Sequence, residues 1–184
     1  MVSFETKIPE YKKLVDDCLK GTLPKTNQSP QKLTEAMLYS VMNGGKRIRP
    51  LMIFASAETL EINIHHVLPF ATSIELLHSF SLIHDDLPCM DDDSLRRGKP
   101  TTHIEFGEAT ATLAADALQS LAFQNMALSE FPESKTSHLR LISMIAESIG
   151  SSGMAGGQSL DLDSENKKLN TKSVENIYML KTGR

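Results

Sequence analysis

Apolar side chains recur along this chain every three to four positions, in stretches that end at Gly, Pro or Asn. Val, Ile and Thr do not alternate with polar residues over any long stretch, so strands are poorly supported. The pattern predicts a first amphipathic helix over residues 9–20, closed by Gly21, and a loop to Pro30. Ser29-Pro30 reads as a cap followed by Pro at the first helical position. A helix then runs to Met42 and stops at Asn43-Gly44-Gly45, and Pro50 opens another that ends near Leu60. A longer helix is expected over residues 66–86, interrupted by Pro88. After a polar loop over 91–102, an Ala-rich helix covers 108–129 and ends at Phe131-Pro132. Further helices are expected over 137–149, 158–163 and from Lys172 onward. No repeat and no linker divides the chain, which predicts an all-α fold in a single domain over residues 1–184. The last helical pattern runs into Thr182-Gly183-Arg184 without a stop signal, as in the amino-terminal part of a longer helical protein.

Composition narrows the class. Of 184 residues 40% are hydrophobic, enough for a core, and 23% are charged, which excludes disordered and collagen-like chains. No apolar run approaches the roughly 20 residues that span a bilayer; the longest, Leu51 to Ala57, is far too short. The first residues lack the charged-then-apolar order of a signal peptide, so a cytoplasmic protein is expected. Cys18 and Cys89 have no partners at metal or disulfide-framework spacing. A net charge of −4 argues against a nucleic-acid partner, which needs a basic surface. Basic residues nonetheless come in tight groups: Lys46, Arg47 and Arg49; Arg96, Arg97 and Lys99; Lys181 and Arg184. Such clusters in an acidic chain fit small anionic ligands.

The chemistry concentrates between His78 and Gly98. Five aspartates, at 85, 86, 91, 92 and 93, precede Arg96 and Arg97. On a helix Glu75, His78 and Asp85 share one stripe of an otherwise apolar segment. An unbroken helix would put Asp91 about 120° away from Asp85, but Pro88 forces a break that could turn it back. Converging carboxylates repel unless cations neutralise them. Hard oxygen ligands favour Mg²⁺, which completes its shell with water and substrate phosphates. Arginines hold phosphate oxygens in bidentate fashion. Other metal sites fail on spacing. Counting an EF-hand from Asp161 puts Asn166 and Lys172 where Gly and Glu are needed. A di-iron bundle needs two Glu-x-x-His pairs, and Glu75-Leu-Leu-His78 is one.

Elsewhere the signals are weaker. Gly44-Gly45-Lys46-Arg47-Ile48-Arg49-Pro50 ends a helix with glycines that let the backbone approach a ligand, without the spacing of a Walker loop. The small residues over 150–157 fit close helix packing, and Asp116 reads as a buried structural carboxylate.

Together these passages resemble the amino-terminal part of a trans-prenyl diphosphate synthase of the bacterial farnesyl diphosphate synthase type. The matching motifs are the Gly44–Pro50 segment, Glu75-Leu-Leu-His78, Asp85-Asp-Leu-Pro-Cys-Met-Asp91 with Arg96-Arg97-Gly98, Gly157-Gln-Ser-Leu-Asp161, and Lys181-Thr-Gly183. The resemblance implies antiparallel helices around a central cavity, usually in a homodimer. It implies that Asp85 and Asp91 hold Mg²⁺ with Asp86 in support, and that Arg96, Lys181 and Thr182 bind an allylic diphosphate (dimethylallyl or geranyl). Lys46, Arg49, His78 and Arg97 would hold isopentenyl diphosphate, with Arg47 structural. The reaction would ionise the allylic diphosphate, add the isopentenyl double bond to the cation, and lose a proton to bound diphosphate. Phe80 and Ser81, five and four residues before Asp85, would set product length, the ring acting as a floor that favours farnesyl diphosphate. Geranylgeranyl diphosphate is the alternative product. A fragment or subunit that only binds diphosphate, or pairs with a complete partner, is a further alternative. A terpene cyclase is disfavoured, because it needs no isopentenyl site. Two departures stand out: Ala115 replaces the family's usual Gly, and the second aspartate-rich motif expected after Gly183 is not in this sequence.

Overall fold

The computed structural model describes residues 3–130, 132 and 134–183. Phe131 and Arg184, named above as a helix end and as part of a basic group, lie outside the described residues. The helices are α1 (Phe4–Thr22), α2 (Gln31–Met42), α3 (Ile48–Thr59), α4 (Ile64–Asp85), α5 (Thr102–Phe106), α6 (Glu108–Leu128), α7 (Lys135–Ile149), α8 (Met154–Asp163) and α9 (Thr171–Lys181). Two short strands, β1 (Leu95–Arg96) and β2 (Lys99–Pro100), form an antiparallel hairpin. The protein is all-α, and contacts group into two compact units, Met1–Glu130 and Phe131–Arg184.

In the first unit α4 is the central element, packed by α1, α2, α3 and α6. Phe70, Ala71, Thr72, Ser73, Leu76 and Leu77 are all buried, so it is covered on most sides over this stretch. That matches a helix with almost no polar face, which is stable only inside a core. Phe54 from α3, Val15 and Leu19 from α1, Val41 from α2 and Leu118 from α6 close around it. In the second unit α8 packs on α9 so closely that a Cβ on Gly157 would sit 2.3 Å from the backbone nitrogen of Lys181. The small residues over 150–157 therefore serve close packing at Gly157.

Several expected boundaries move. Helix α1 begins at Phe4 rather than at Pro9: Phe4 packs at a tilt on Tyr11 two turns along the same helix, and Lys7 reaches Glu58 of α3. It runs through Gly21 to Thr22. Ser29 does not cap α2; the cap is Pro30, whose carbonyl takes the N–H of Thr34. Helix α3 starts at Ile48, two residues before Pro50, and α4 at Ile64, where the Asn63 side chain accepts the N–H of His65. The loop expected over 91–102 contains the hairpin, whose turn is Arg97-Gly98 with φ of 55° and 78°. Two successive positive φ values define the tight turn that matches strand twist. A short α5 follows, where only loop and the start of α6 are expected. Helix α8 starts at Met154, four residues early, and α9 ends at Lys181 as Thr182 leaves helical geometry.

Candidate active site

The carboxylate end of the site is built by the end of α4. Leu87 donates to the carbonyl of His84, which tightens the last turn, and Pro88 follows without an N–H. The chain then wraps back: Asp91 donates its N–H to the carbonyl of Asp85 at 2.9 Å, and Asp92 to that of Leu87 at 3.2 Å. Asp92 takes the left-handed conformation with φ of 52°. The break at Pro88 thus brings Asp91 back to Asp85. Asp86 points inward, buried, and its two oxygens accept from Arg96, both at 2.9 Å from Nε and Oδ1 also at 2.5 Å from Nη2. Asp86 first, then Asp93 and Asp85 at longer range, hold the Arg96 guanidinium above its usual pKa.

The hairpin carries Arg97 to the other basic cluster. Arg97 Nη1 donates to the carbonyl of Gly44, and its guanidinium lies against Gly45. A Cβ on Gly45 would stand 2.9 Å from Arg97 Nη1, and the φ of 146° there is itself one that favours glycine. The sequence motif of paired glycines is therefore a seat for the Arg97 side chain. Lys46 and Arg49 are exposed on the same segment. Arg47 turns away from them, buried, and bonds Asp16 at 2.9 Å, Glu75 at 2.8 Å and the carbonyl of Val41 at 3.0 Å.

His78, on α4, lies within the field of these cations. Burial first, and then Arg49, Arg97, Arg96 and Arg47, push its pKa down to about 4. The ring is therefore neutral at pH 7 and can donate or accept one hydrogen bond at each nitrogen without adding charge. Of these arginines, Arg47 is paired with Asp16 and Glu75 and Arg96 with Asp86, so Arg49 and Arg97 are the ones whose charge carboxylates do not already offset at hydrogen-bond distance.

Below the aspartates, Phe80 meets His84 edge-on at 4.9 Å between ring centroids, and Ser81 Oγ donates to the carbonyl of His78 at 2.9 Å. His84 Nε2 is 3.9 Å from Asp116 on α6. Asp116 is 60% exposed and not the buried carboxylate expected, because it sits on the outward face of α6 with Thr112, Leu113 and Ser120. In the second unit Lys181 Nζ donates to Asp161 Oδ2 at 2.8 Å, which joins two motifs of the sequence, and Thr182 is exposed beside it.

The donor set at Asp85 and Asp91 suits a hard divalent cation. Among the described residues no three His, Cys, Asp or Glu side chains converge on one point. Two carboxylates suffice for Mg²⁺, which keeps its waters and takes the rest of its shell from phosphates. Sequence reasoning did not connect Glu75 and Asp16 to Arg47, nor Asp86 to Arg96. The Glu75 burial had a signal, a lone acid on an apolar helix; the Asp16 partner had none.

An all-helical scaffold thus carries Asp85, Asp91, Arg96 and Arg97 at the end of α4 and on the hairpin that follows it. Residues 30–184 match the polyprenyl synthetase family, and the chain belongs to that family. It is 44% identical over 173 residues to a farnesyl diphosphate synthase of Buchnera aphidicola, covering 94% of this chain and 61% of that one. It is 42% identical over 179 residues to a geranylgeranyl diphosphate synthase of Cyanophora paradoxa, covering 97% and 59%. Among solved structures, the apo FPP/GFPP synthase of Zymomonas mobilis superposes with a TM-score of 0.92 at 37% identity, over 98% of this chain and 66% of that one. The chain thus spans about three fifths of the length of the curated relatives named here.

Proposed function

We propose that this chain provides the diphosphate and metal sites of a prenyltransferase that condenses isopentenyl diphosphate with an allylic diphosphate to give farnesyl diphosphate. The observation that carries the reading is the return of Asp91 to Asp85 beside the hairpin that seats Arg96 on Asp86 and Arg97 on the Gly44 carbonyl. Each diphosphate bears about three negative charges and needs cation and guanidinium partners. In this reading Asp85 and Asp91 hold Mg²⁺ and Asp86 keeps Arg96 in place. A bound divalent cation neutralises the charge that builds on the leaving diphosphate. Arg96 faces that allylic group. Lys46, Arg49, His78 and Arg97 hold isopentenyl diphosphate. The apolar body of α4 below Asp85 keeps water from the carbocation, and bound diphosphate takes the proton. Phe80, backed by the His84 ring, floors the cavity for the growing chain, with Ser81 beside it.

No helix of the described residues is long and apolar enough to cross a membrane, and a cytoplasmic homodimer is part of the same proposal. Leu113 and Leu128, exposed on α6, offer apolar surface to a second copy. The single domain inferred over residues 1–184 belongs to the proposal too. One observation favours a second product length: one named relative is a geranylgeranyl diphosphate synthase. Binding without turnover is the alternative activity.

The test is turnover. The chain is incubated with labelled isopentenyl diphosphate, geranyl diphosphate and Mg²⁺, and products are separated by length. A fifteen-carbon product that disappears in Asp85→Ala supports the full reading. A twenty-carbon product favours the alternative chain length. Binding of both substrates without product favours the binding reading, and no binding of either contradicts the proposal.

A further inference from the structure

We infer that Arg47 and Glu75 act as a positioning pair for the isopentenyl end of this site; the inference rests on the diphosphate reading above. Arg47 is the charged residue of the Gly44–Pro50 segment that does not face solvent: its side chain is 4% exposed. It spends its guanidinium on three elements at once, bonding Asp16 of α1, Glu75 of α4 and the Val41 carbonyl of α2. It does so from a left-handed backbone conformation, φ 53°, which a residue other than Gly adopts only when its surroundings hold it there. Glu75 is equally buried, at 3%, and lies one turn before His78 on the same helix.

The consequence is geometric. Gly44 and Gly45, which seat Arg97, lie three and two residues before Arg47, and Arg49 lies two residues after it. Anchoring Arg47 on Glu75 therefore fixes the spacing between the Arg97 seat, Arg49 and the His78 turn of α4. A buried ion pair is retained at a desolvation cost and is best attested as a device for one register rather than for stability. Only a planar fork reaches three acceptors in this way; a lysine ammonium is a point charge on a flexible stem. Asp16 and Glu75 also offset the Arg47 charge, so the anion meets Arg49 and Arg97 instead.

The experiment is calorimetric titration of inorganic pyrophosphate into the chain, with the melting temperature of each variant measured beside it. Variants are Glu75→Gln, Arg47→Lys, and the apolar pair Arg47→Met with Glu75→Leu, which keeps volume and removes the buried charges. Glu58→Gln is the control: it breaks the contacts of α1 with α3 through Lys7 and Tyr11, away from the site. Expected is a loss of pyrophosphate affinity of about tenfold or more in the three site variants, the scale of one charge-assisted hydrogen bond. The folded apolar pair loses affinity too, whatever its melting temperature, while Glu58→Gln melts lower and binds as the parent does. Unchanged affinity in the apolar pair, or an equal loss in Glu58→Gln, overturns the positioning role. Absence of pyrophosphate binding in the parent chain overturns the site reading itself, and this inference with it.

Discussion

Asp86 holds Arg96 through both sides of its fork, with Nε 2.9 Å and Nη2 2.5 Å from Oδ1. Of the five clustered aspartates it is the one turned into the core, at 4% side-chain exposure. The pairing ties the hairpin to the end of α4, so a residue of the aspartate motif shapes the site without facing its ligand.

Asp86→Asn is therefore expected to act first on stability. It leaves a partly buried guanidinium short of its charged partner, a loss of about 1–3 kcal/mol. Asp91→Asn, at an exposed position, should leave the melting temperature nearly unchanged. Thermal melts of both variants check this; equal melting of the two contradicts the structural assignment of Asp86.

Gly45→Ala places a methyl group where Arg97 Nη1 lies, and does so at a φ of 146°. The flexible end of Arg97 must give way. We expect the affinity for isopentenyl diphosphate to fall by about tenfold, the value of one charge-assisted contact, with the far-UV spectrum unchanged. Titration of isopentenyl diphosphate into the parent and the variant checks it.

His78 gives stability a pH slope of known sign. Between pH 6.5 and about 4 the unfolded chain carries the proton on this ring and the folded chain does not. The unfolded state therefore binds more protons, and stability rises with pH across that window and is lost on acidification. His78→Gln should flatten this part of the profile of urea midpoints between pH 4 and 7. A bound diphosphate offsets the arginines that depress the ring, so binding near pH 5 should take up a proton. Calorimetry in buffers of different ionisation enthalpy measures that uptake.

In the second unit, Gly157→Ala forces α8 away from the Lys181 backbone, which a Cβ would approach to 2.3 Å. Overpacking of this kind costs about 1–3 kcal/mol. Amide exchange in α8 and α9 should quicken, while exchange in α4 and α6 stays as in the parent.

The helices were legible because their apolar period is strong and Gly, Pro and Asn punctuate it. The return of Asp91 was legible too, since Pro88 cannot continue a helix and six residues of helix would have carried the carboxylates apart. The hairpin was not: two-residue strands are too short for alternation to register, although Arg97-Gly98 is a turn that tolerates two positive φ values. Helix α1 began early because Lys7 finds its partner at Glu58, a contact that spans 51 residues and leaves no local trace. The same limit hid the Arg47 anchor. Its acceptors lie 31 and 28 residues away in sequence, and neither spacing nor propensity connects Asp16, Arg47 and Glu75. Asp116 shows the converse error, a lone acid on an Ala-rich helix that stays on the surface.

The central claim is that Asp85 and Asp91 recruit a divalent cation that, with the neighbouring arginines, binds a diphosphate. The most direct measurement is the Kd of geranyl diphosphate with Mg²⁺ and with EDTA, in the parent chain and in the double variant Asp85→Asn, Asp91→Asn. We predict binding at least about tenfold tighter with Mg²⁺ in the parent, and no Mg²⁺ effect in the double variant. Equal affinity with and without Mg²⁺ in the parent, or a Mg²⁺ effect that survives both substitutions, would contradict the account.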